Sequence, residues 1–299
     1  MINITYNNRT QPDYFSYNIL PTAEDDAKDD EFELPEESGR KAMDKADRQL
    51  SHHERESRFL IKRSEDYQVY DNVFDIPTLM AVNRLRDDGI IQHIRGELGA
   101  GKESKVYIAV AADGSLRTVK IYLTVSAEFK KRVQYIVGDP RFSDIKRGSR
   151  NLMSLWAKKE FKNMQTARAA GVKVPEPIAV QKNILVMEFI GDNKGVPAPS
   201  LIESEVTYDD YSEVIKQLSL LYQKARLVHA DLSEYNIFKI GKGIMFFDFG
   251  SAVDIQHPNS KQFLVRDIIN ISRFFAKRGI EHIFDTAHAV EDITGETKQ

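Results

Sequence analysis

Between residues 228 and 250 the chain reads Val228-His229-Ala230-Asp231-Leu232-Ser233-Glu234-Tyr235-Asn236, and then Phe247-Asp248-Phe249-Gly250. This pair of phrases constrains the fold more than anything else in the sequence. A helical stripe precedes it, with apolar groups at 211, 214, 215, 218, 221, 222 and 225. Two short apolar runs separate its halves, Ile237 to Ile240 and Ile244 to Phe247. Asp231 and Asn236 must therefore share one tight loop, and Asp248 must end a strand beside it. An aspartate that orients a hydroxyl or water, an amide that holds a cation, and a second carboxylate that holds the same cation form the pattern phosphoryl transfer requires. Taken alone, Asp248-Phe249-Gly250 is also a plain strand-ending turn.

The upstream half supplies matching parts. Gly96-Glu97-Leu98-Gly99-Ala100-Gly101-Lys102-Glu103-Ser104 is rich in glycine. Read as a Walker loop it lacks the hydroxyl after Gly101-Lys102, and the segment that follows alternates like a strand. Read as a hairpin turn, its backbone N–H groups can approach an anion, with Lys102 and Ser104 as added donors. Lys120 lies on the next alternating run, 117–122, after an Asp113-Gly114 turn. On a strand it is either a solvent-facing charge or a phosphate ligand held by a carboxylate, for which Glu160 is the candidate. Lys159 and Glu160 could equally be surface charges. Met187-Glu188-Phe189-Ile190 ends a strand, where backbone groups of Glu188 and Ile190 can meet adenine with Met187 behind it; a buried strand is the plainer reading.

Strands and one helix come first, helices later. That order predicts an α+β, two-lobed protein-kinase-like fold: a small N-terminal antiparallel sheet lobe with a helix, and a mainly helical C-terminal lobe. A helix starts near Pro77 and stops at Gly89, and another spans 152–168 and stops at Gly171. The division expected is an extension over 1–72, an N-lobe over 73–190, a C-lobe over 191–285 and a tail over 286–299. The extension carries the acidic run Ala23 to Glu31 and too little apolar surface to offset its ordering entropy. The chain has 299 residues, a net charge of −3 and no cysteine. No global basic field draws it to DNA, and disulfides and thiolate chemistry are excluded. No apolar stretch reaches the length of a membrane span, and Met1 to Leu20 lacks a secretory core, so a cytoplasmic protein without a membrane partner is expected.

These residues resemble the RIO family of atypical serine/threonine protein kinases over about 73–285. Gly101-Lys102-Glu103-Ser104-Lys105-Val106-Tyr107 is similar to its nucleotide loop, and Val228 to Asn236 to its catalytic loop. Val137 to Phe142, Trp156 to Phe161 and Pro197 to Leu201 resemble the first branch of the family, although that branch often lacks the Phe-Gly after its metal aspartate. The resemblance implies that ATP and Mg2+ (or Mn2+) bind, with Gly101, Lys102, Ser104, Val106, Lys120, Glu160, Met187, Glu188 and Ile190 around the nucleotide. It implies Asp231 as the catalytic aspartate, Asn236 and Asp248 as metal ligands, and Asp248 as a residue able to accept the phosphoryl group. It also implies a flexible insert containing 124–148, basic at Lys130-Lys131-Arg132 and Lys146-Arg147. That insert is either a solvated loop or a contact for RNA or the surface of the maturing small ribosomal subunit, the partner the family implies. Asp267, early in the last helix, is placed to brace the catalytic loop.

Little chain separates Gly250 from the 263–277 helix, which leaves no room for a long activation segment. Two other readings stand beside a RIO-type kinase or ATPase. A small-molecule phosphotransferase of the aminoglycoside type shares His-x-Asp-x4-Asn but needs more C-terminal helices. A non-catalytic nucleotide-binding assembly scaffold is the other.

Overall fold

The computed structural model describes residues 75–101, 103–123, 135–136, 139, 141 and 149–295. The N-terminal extension, Lys102 and most of the 124–148 insert lie outside the described residues.

Helix α1 (Ile76–Asp87) starts where Asp75 caps it, its carboxylate accepting the Thr78 N–H at 2.9 Å, and Pro77 occupies the first turn. Gly89 follows at φ +70°, the left-handed position that stops the helix. Five strands form one antiparallel sheet: β1 (His93–Ala100), β2 (Ser104–Val110), β3 (Leu116–Tyr122), β4 (Pro177–Gln181) and β5 (Ile184–Glu188), in the order β1-β2-β3-β5-β4. A strand rather than a helix follows the glycine-rich segment, so the Walker reading fails and the hairpin reading holds. Asp113-Gly114 makes the next turn, with Gly114 at φ +81°.

Register assigns the sheet two jobs. Tyr107, Ala109, Val119, Ile121, Ile184 and Val186 face one way and pack with Ala81, Leu85 and Ile91 of the α1 region. Val106 lies opposite Lys120, and Lys120 opposite Leu185, so these three face the other way, toward the rest of the molecule. Helix α2 (Ser149–Ala169) crosses that second face, with Met153, Trp156, Ala157 and Met164 buried. Gly171, at φ +87°, closes it.

The chain leaves the sheet through Gly191, where a Cβ would come within 2.2 Å of the Val196 carbonyl oxygen; only glycine fits that turn. Beyond it lie α3 (Tyr208–Gln223), β6 (Leu227–Val228), the hairpin β7 (Ile237–Ile240) and β8 (Gly243–Phe246), β9 (Val253–Asp254) and α4 (Ser260–Lys277). Thr207 and Asp210 form a capping box that starts α3. Strands thus precede helices, and the fold is the expected α+β, two-lobed kinase-like one. The difference is α5 (Thr286–Thr294), where the sequence reads as a tail. Asp285 caps it, and Ala289 and Ile293 are buried against the helical core. Ala289, Val290 and Ile293 recur at helical spacing, but nine residues are too few for that stripe to set a helix apart from a tail. No described helix is long and apolar enough to cross a membrane.

Candidate active site

The site lies where the inner face of the sheet meets the loops between β6 and β9. Lys120, on the central strand β3, points to α2, and its Nζ donates to both oxygens of Glu160 at 3.0 and 2.9 Å. The same ammonium donates to Oδ1 of Asp248 at 2.8 Å. Glu160 is buried and Lys120 nearly so, while the Asp248 side chain is 39% exposed and can meet a ligand. Burial opposes charge on Lys120, but the carboxylates of Asp248 and Glu160 outweigh it and hold the ammonium above the usual lysine range. Burial pushes Glu160 up to about 7 against the pull of Lys120, and the charge of Asp248 adds to that push. One ammonium serves two carboxylates, so Lys120 stays charged.

The catalytic-loop candidate is braced from behind. Asp267 of α4 accepts the N–H of Ala230 at 2.8 Å and that of Leu232 at 2.9 Å, the residues on either side of Asp231. Burial pushes the Asp267 carboxyl up to about 7, with those two N–H groups and Arg266 pulling the other way. Arg266 also donates to the Ala230 carbonyl. His229 Nε2 donates to the Phe247 carbonyl at 3.1 Å, which fixes the imidazole as a strut between loop and strand; burial lowers its pKa, so it stays neutral. Asp231 is left exposed.

Asn236 closes the loop. Its Nδ2 donates to the Asp231 carbonyl at 2.8 Å, and its own carbonyl accepts the Phe247 N–H at 3.0 Å. These two bonds set Asn236 beside the residue that precedes Asp248. With Nδ2 engaged, Oδ1 is the remaining side-chain acceptor. Asp248 itself stands at φ 62°, ψ 65°, a left-handed conformation costing a non-glycine residue ~1–2 kcal/mol. A carboxylate and an amide oxygen, both hard donors, suit Mg2+ better than a softer metal. Gly250 sits where a Cβ would meet Trp156 Nε1 at 2.9 Å, so the turn after Asp248 is pressed against α2.

The nucleotide-side residues fall as follows. Gly101 makes the turn of the β1–β2 hairpin, its N–H bonding the Ser104 carbonyl at 2.8 Å. Lys102 is outside the described residues. Ser104 begins β2, and Val106 shares the inner face with Lys120. Met187 is buried on β5. Glu188 turns its carboxylate away to the Glu176 N–H at 3.1 Å, so its backbone is what it can offer a base. The Ile190 carbonyl accepts the Ala198 N–H at 2.9 Å, leaving its N–H as the backbone group for a ligand.

Sequence reasoning missed Lys159 and Asn163. Lys159 stands among charged neighbours and reads as surface, yet it is fully buried, donating to the carbonyls of Gly250 and Ala252 at 2.8 and 2.5 Å. Asn163, one turn further on, donates to Phe249 and Ala252 carbonyls at 3.0 and 2.9 Å. Their shared helix face with Glu160 was the signal, but it has no meaning until the segment after Asp248 is known to lie there.

Comparison with known proteins points one way. The RIO domain family matches residues 105–289. The chain is 35% identical over 286 residues to the RIO-type serine/threonine-protein kinase Rio1 of Haloferax volcanii, covering 94% of this chain and 96% of that one. It is 34% identical to the Rio1 of Methanocaldococcus jannaschii, covering 89% and 90%. Against human serine/threonine-protein kinase RIO1 it is 36% identical over 228 residues but spans only 40% of that longer protein. Two crystal structures of Rio2 kinase from Chaetomium thermophilum share the fold. One, an ADP/Mg2+-phosphoaspartate complex, gives a TM-score of 0.53 at 24% identity over 73% of this chain and 67% of that one; the other gives 0.55 at 23%, over 72% and 67%.

Proposed function

The chain belongs to the RIO family of serine/threonine protein kinases, of the Rio1 type, and from that premise we propose that it moves the γ-phosphoryl group of Mg-ATP either to a protein hydroxyl or, through Asp248, to water. The observation that carries this reading is the position of Lys120, within 3.0 Å of Glu160 and 2.8 Å of Asp248, beside a loop bearing Asp231 and Asn236.

Lys120, held by Glu160, supplies a fixed positive charge for the α- and β-phosphates. Gly101, Ser104 and Val106 line the roof of the cleft, and the Glu188 carbonyl and Ile190 N–H are the groups for adenine, with Met187 behind them. Asn236 Oδ1 and the Asp248 carboxylate would hold Mg2+, whose charge neutralises the phosphate oxygens when bound. Asp231 takes the direction, and accepts the proton, of an attacking hydroxyl.

In the second route a carboxylate oxygen of Asp248 attacks the γ-phosphorus and the bond to the β-phosphate oxygen breaks, releasing ADP. Water then hydrolyses the acyl phosphate, returning the carboxylate and inorganic phosphate. The phosphoaspartate in the Rio2 complex supports this route. The partner we infer is the maturing small ribosomal subunit, protein and RNA surface together, with a cytoplasmic setting. The short chain between β9 and α4 supports a nucleotide switch acting on a large partner over a kinase that reads extended peptides.

Incubation with labelled ATP, followed by trapping of the labelled residue, tests the reading. A label that is released by neutral hydroxylamine and absent from Asp248→Ala identifies the aspartyl route; a hydroxylamine-resistant, acid-stable label on serine identifies the hydroxyl route. Asp231→Ala should cost about 10^2–10^4-fold in turnover. Full turnover by both variants would defeat the proposal.

A further inference from the structure

The segment after Asp248 is fastened to α2 by four hydrogen bonds from two side chains. Lys159 Nζ donates to Gly250 O at 2.8 Å and Ala252 O at 2.5 Å, and Asn163 Nδ2 to Phe249 O at 3.0 Å and Ala252 O at 2.9 Å. Both donors are fully buried, and the Lys159 ammonium also stands 5.2 Å above the Trp156 ring. They lie four positions apart, on one helix face. Asn163 is itself locked, its Oδ1 accepting from Arg141 at 2.8 Å, and Arg141 is paired with both oxygens of Asp139 at 2.9 and 2.6 Å. A buried lysine that donates to two backbone carbonyls, one residue before the glutamate that holds Lys120, has no part in the chemistry above.

We propose that Lys159 and Asn163 are positioning residues for Asp248: they hold its left-handed backbone so that the carboxylate faces Asn236, and Arg141 completes the clamp. Asp248 has no glycine freedom to sit at φ 62°, so the pose must be imposed by its surroundings. Released carbonyls at 249–252 would let the turn relax and swing the carboxylate away. Because Glu160 stands on the same helix, one rigid body fixes both the phosphate-side lysine and the metal-side aspartate. This deepens the proposed metal role of Asp248 and rests on it.

The test is Mg2+ titration of ADP binding, set against ADP affinity in EDTA and the thermal melt, for wild type, Asn163→Leu, Lys159→Met, Arg141→Ala and Asp248→Ala. Outer-shell changes of this kind cost about 10–100-fold in metal affinity. Asn163→Leu should therefore raise the Mg2+ needed for half-maximal effect at least about tenfold while affinity in EDTA stays within about twofold. Arg141→Ala should shift it the same way by less, and it decides the matter if the two buried variants do not fold. A folded variant with unchanged Mg2+ demand, or one that loses ADP equally in EDTA, overturns the clamp. If Asp248→Ala itself leaves the Mg2+ effect intact, the metal reading falls and the clamp with it. If Asp248→Ala abolishes the effect while Asn163→Leu and Arg141→Ala do not move it, the clamp alone falls.

Discussion

The ammonium of Lys120 stands 2.8 Å from Oδ1 of Asp248, although 128 residues of chain separate them. That contact joins the sheet lobe to the turn that bears Asp248, while Glu160 takes the other donors of the same lysine. The two carboxylates therefore share one cation, and any ligand that draws Lys120 toward phosphate changes what each of them feels.

Removing the lysine should be costly for folding as well as for binding. Lys120→Met leaves Glu160 enclosed without its counter-charge, and breaking a buried pair from one side costs about 3–5 kcal/mol. Lys120→Met with Glu160→Gln should recover most of that loss while still failing to hold nucleotide. Urea denaturation of the single and double variants measures the difference.

Asp267→Asn should weaken the catalytic loop without touching the nucleotide. It sets an amide against two N–H groups and strands one donor, at about 1–3 kcal/mol. We expect kcat to fall and ADP affinity to hold. The pH response has a definite sign. Burial raises the native pKa from 3.8 to about 7, so between those values the folded form binds more protons than the unfolded one. Stability due to this group therefore declines as pH rises through that window. Melts of wild type between pH 4 and 7 should show the slope, and Asp267→Asn should flatten it.

Asp139 should behave in the opposite sense. Burial works against its charge, but the hydrogen bonds and charge of Arg141 hold it below its usual 3.8. Its contribution is complete above 3.8 and is lost as pH falls through the lowered native value. The stability gap between wild type and Asp139→Asn should be widest near neutrality and close in acid.

Gly250→Ala gives an optical test. The added methyl would meet Trp156 Nε1 at 2.9 Å, and Trp156 is the single tryptophan of the chain. A change in its fluorescence, a loss of about 1–3 kcal/mol from overpacking and a higher Mg2+ demand should appear together. An unchanged emission spectrum would contradict the geometry.

Much of this was legible because chemistry writes itself into short phrases. Asp231, Asn236 and Asp248 announce a loop and a strand end whatever surrounds them, and the Asp113-Gly114 turn fixes the register of β2 and β3. Lys120 and Glu160, forty positions apart, could be paired only by their company. Lys159 was misplaced for a physical reason: a buried lysine differs from an exposed one only in what it finds to bond, and its partners are backbone carbonyls, which carry no residue identity. Asp267 was readable as an acidic residue on an otherwise apolar face of α4, and such a residue needs donors nearby. The helix α5 has an apolar stripe too short to be told from a tail by its spacing.

Ala230 adopts φ 65°, a conformation that glycine would accept without strain. Glycine there would ease assembly, yet it would also let the peptide unit before Asp231 swivel. With alanine in that place, and with its N–H and carbonyl both tied to α4, the backbone leading into Asp231, the proposed catalytic aspartate, is fixed by the fold itself. Ala230→Gly is thus a change that can spare the melting temperature while blurring the shot.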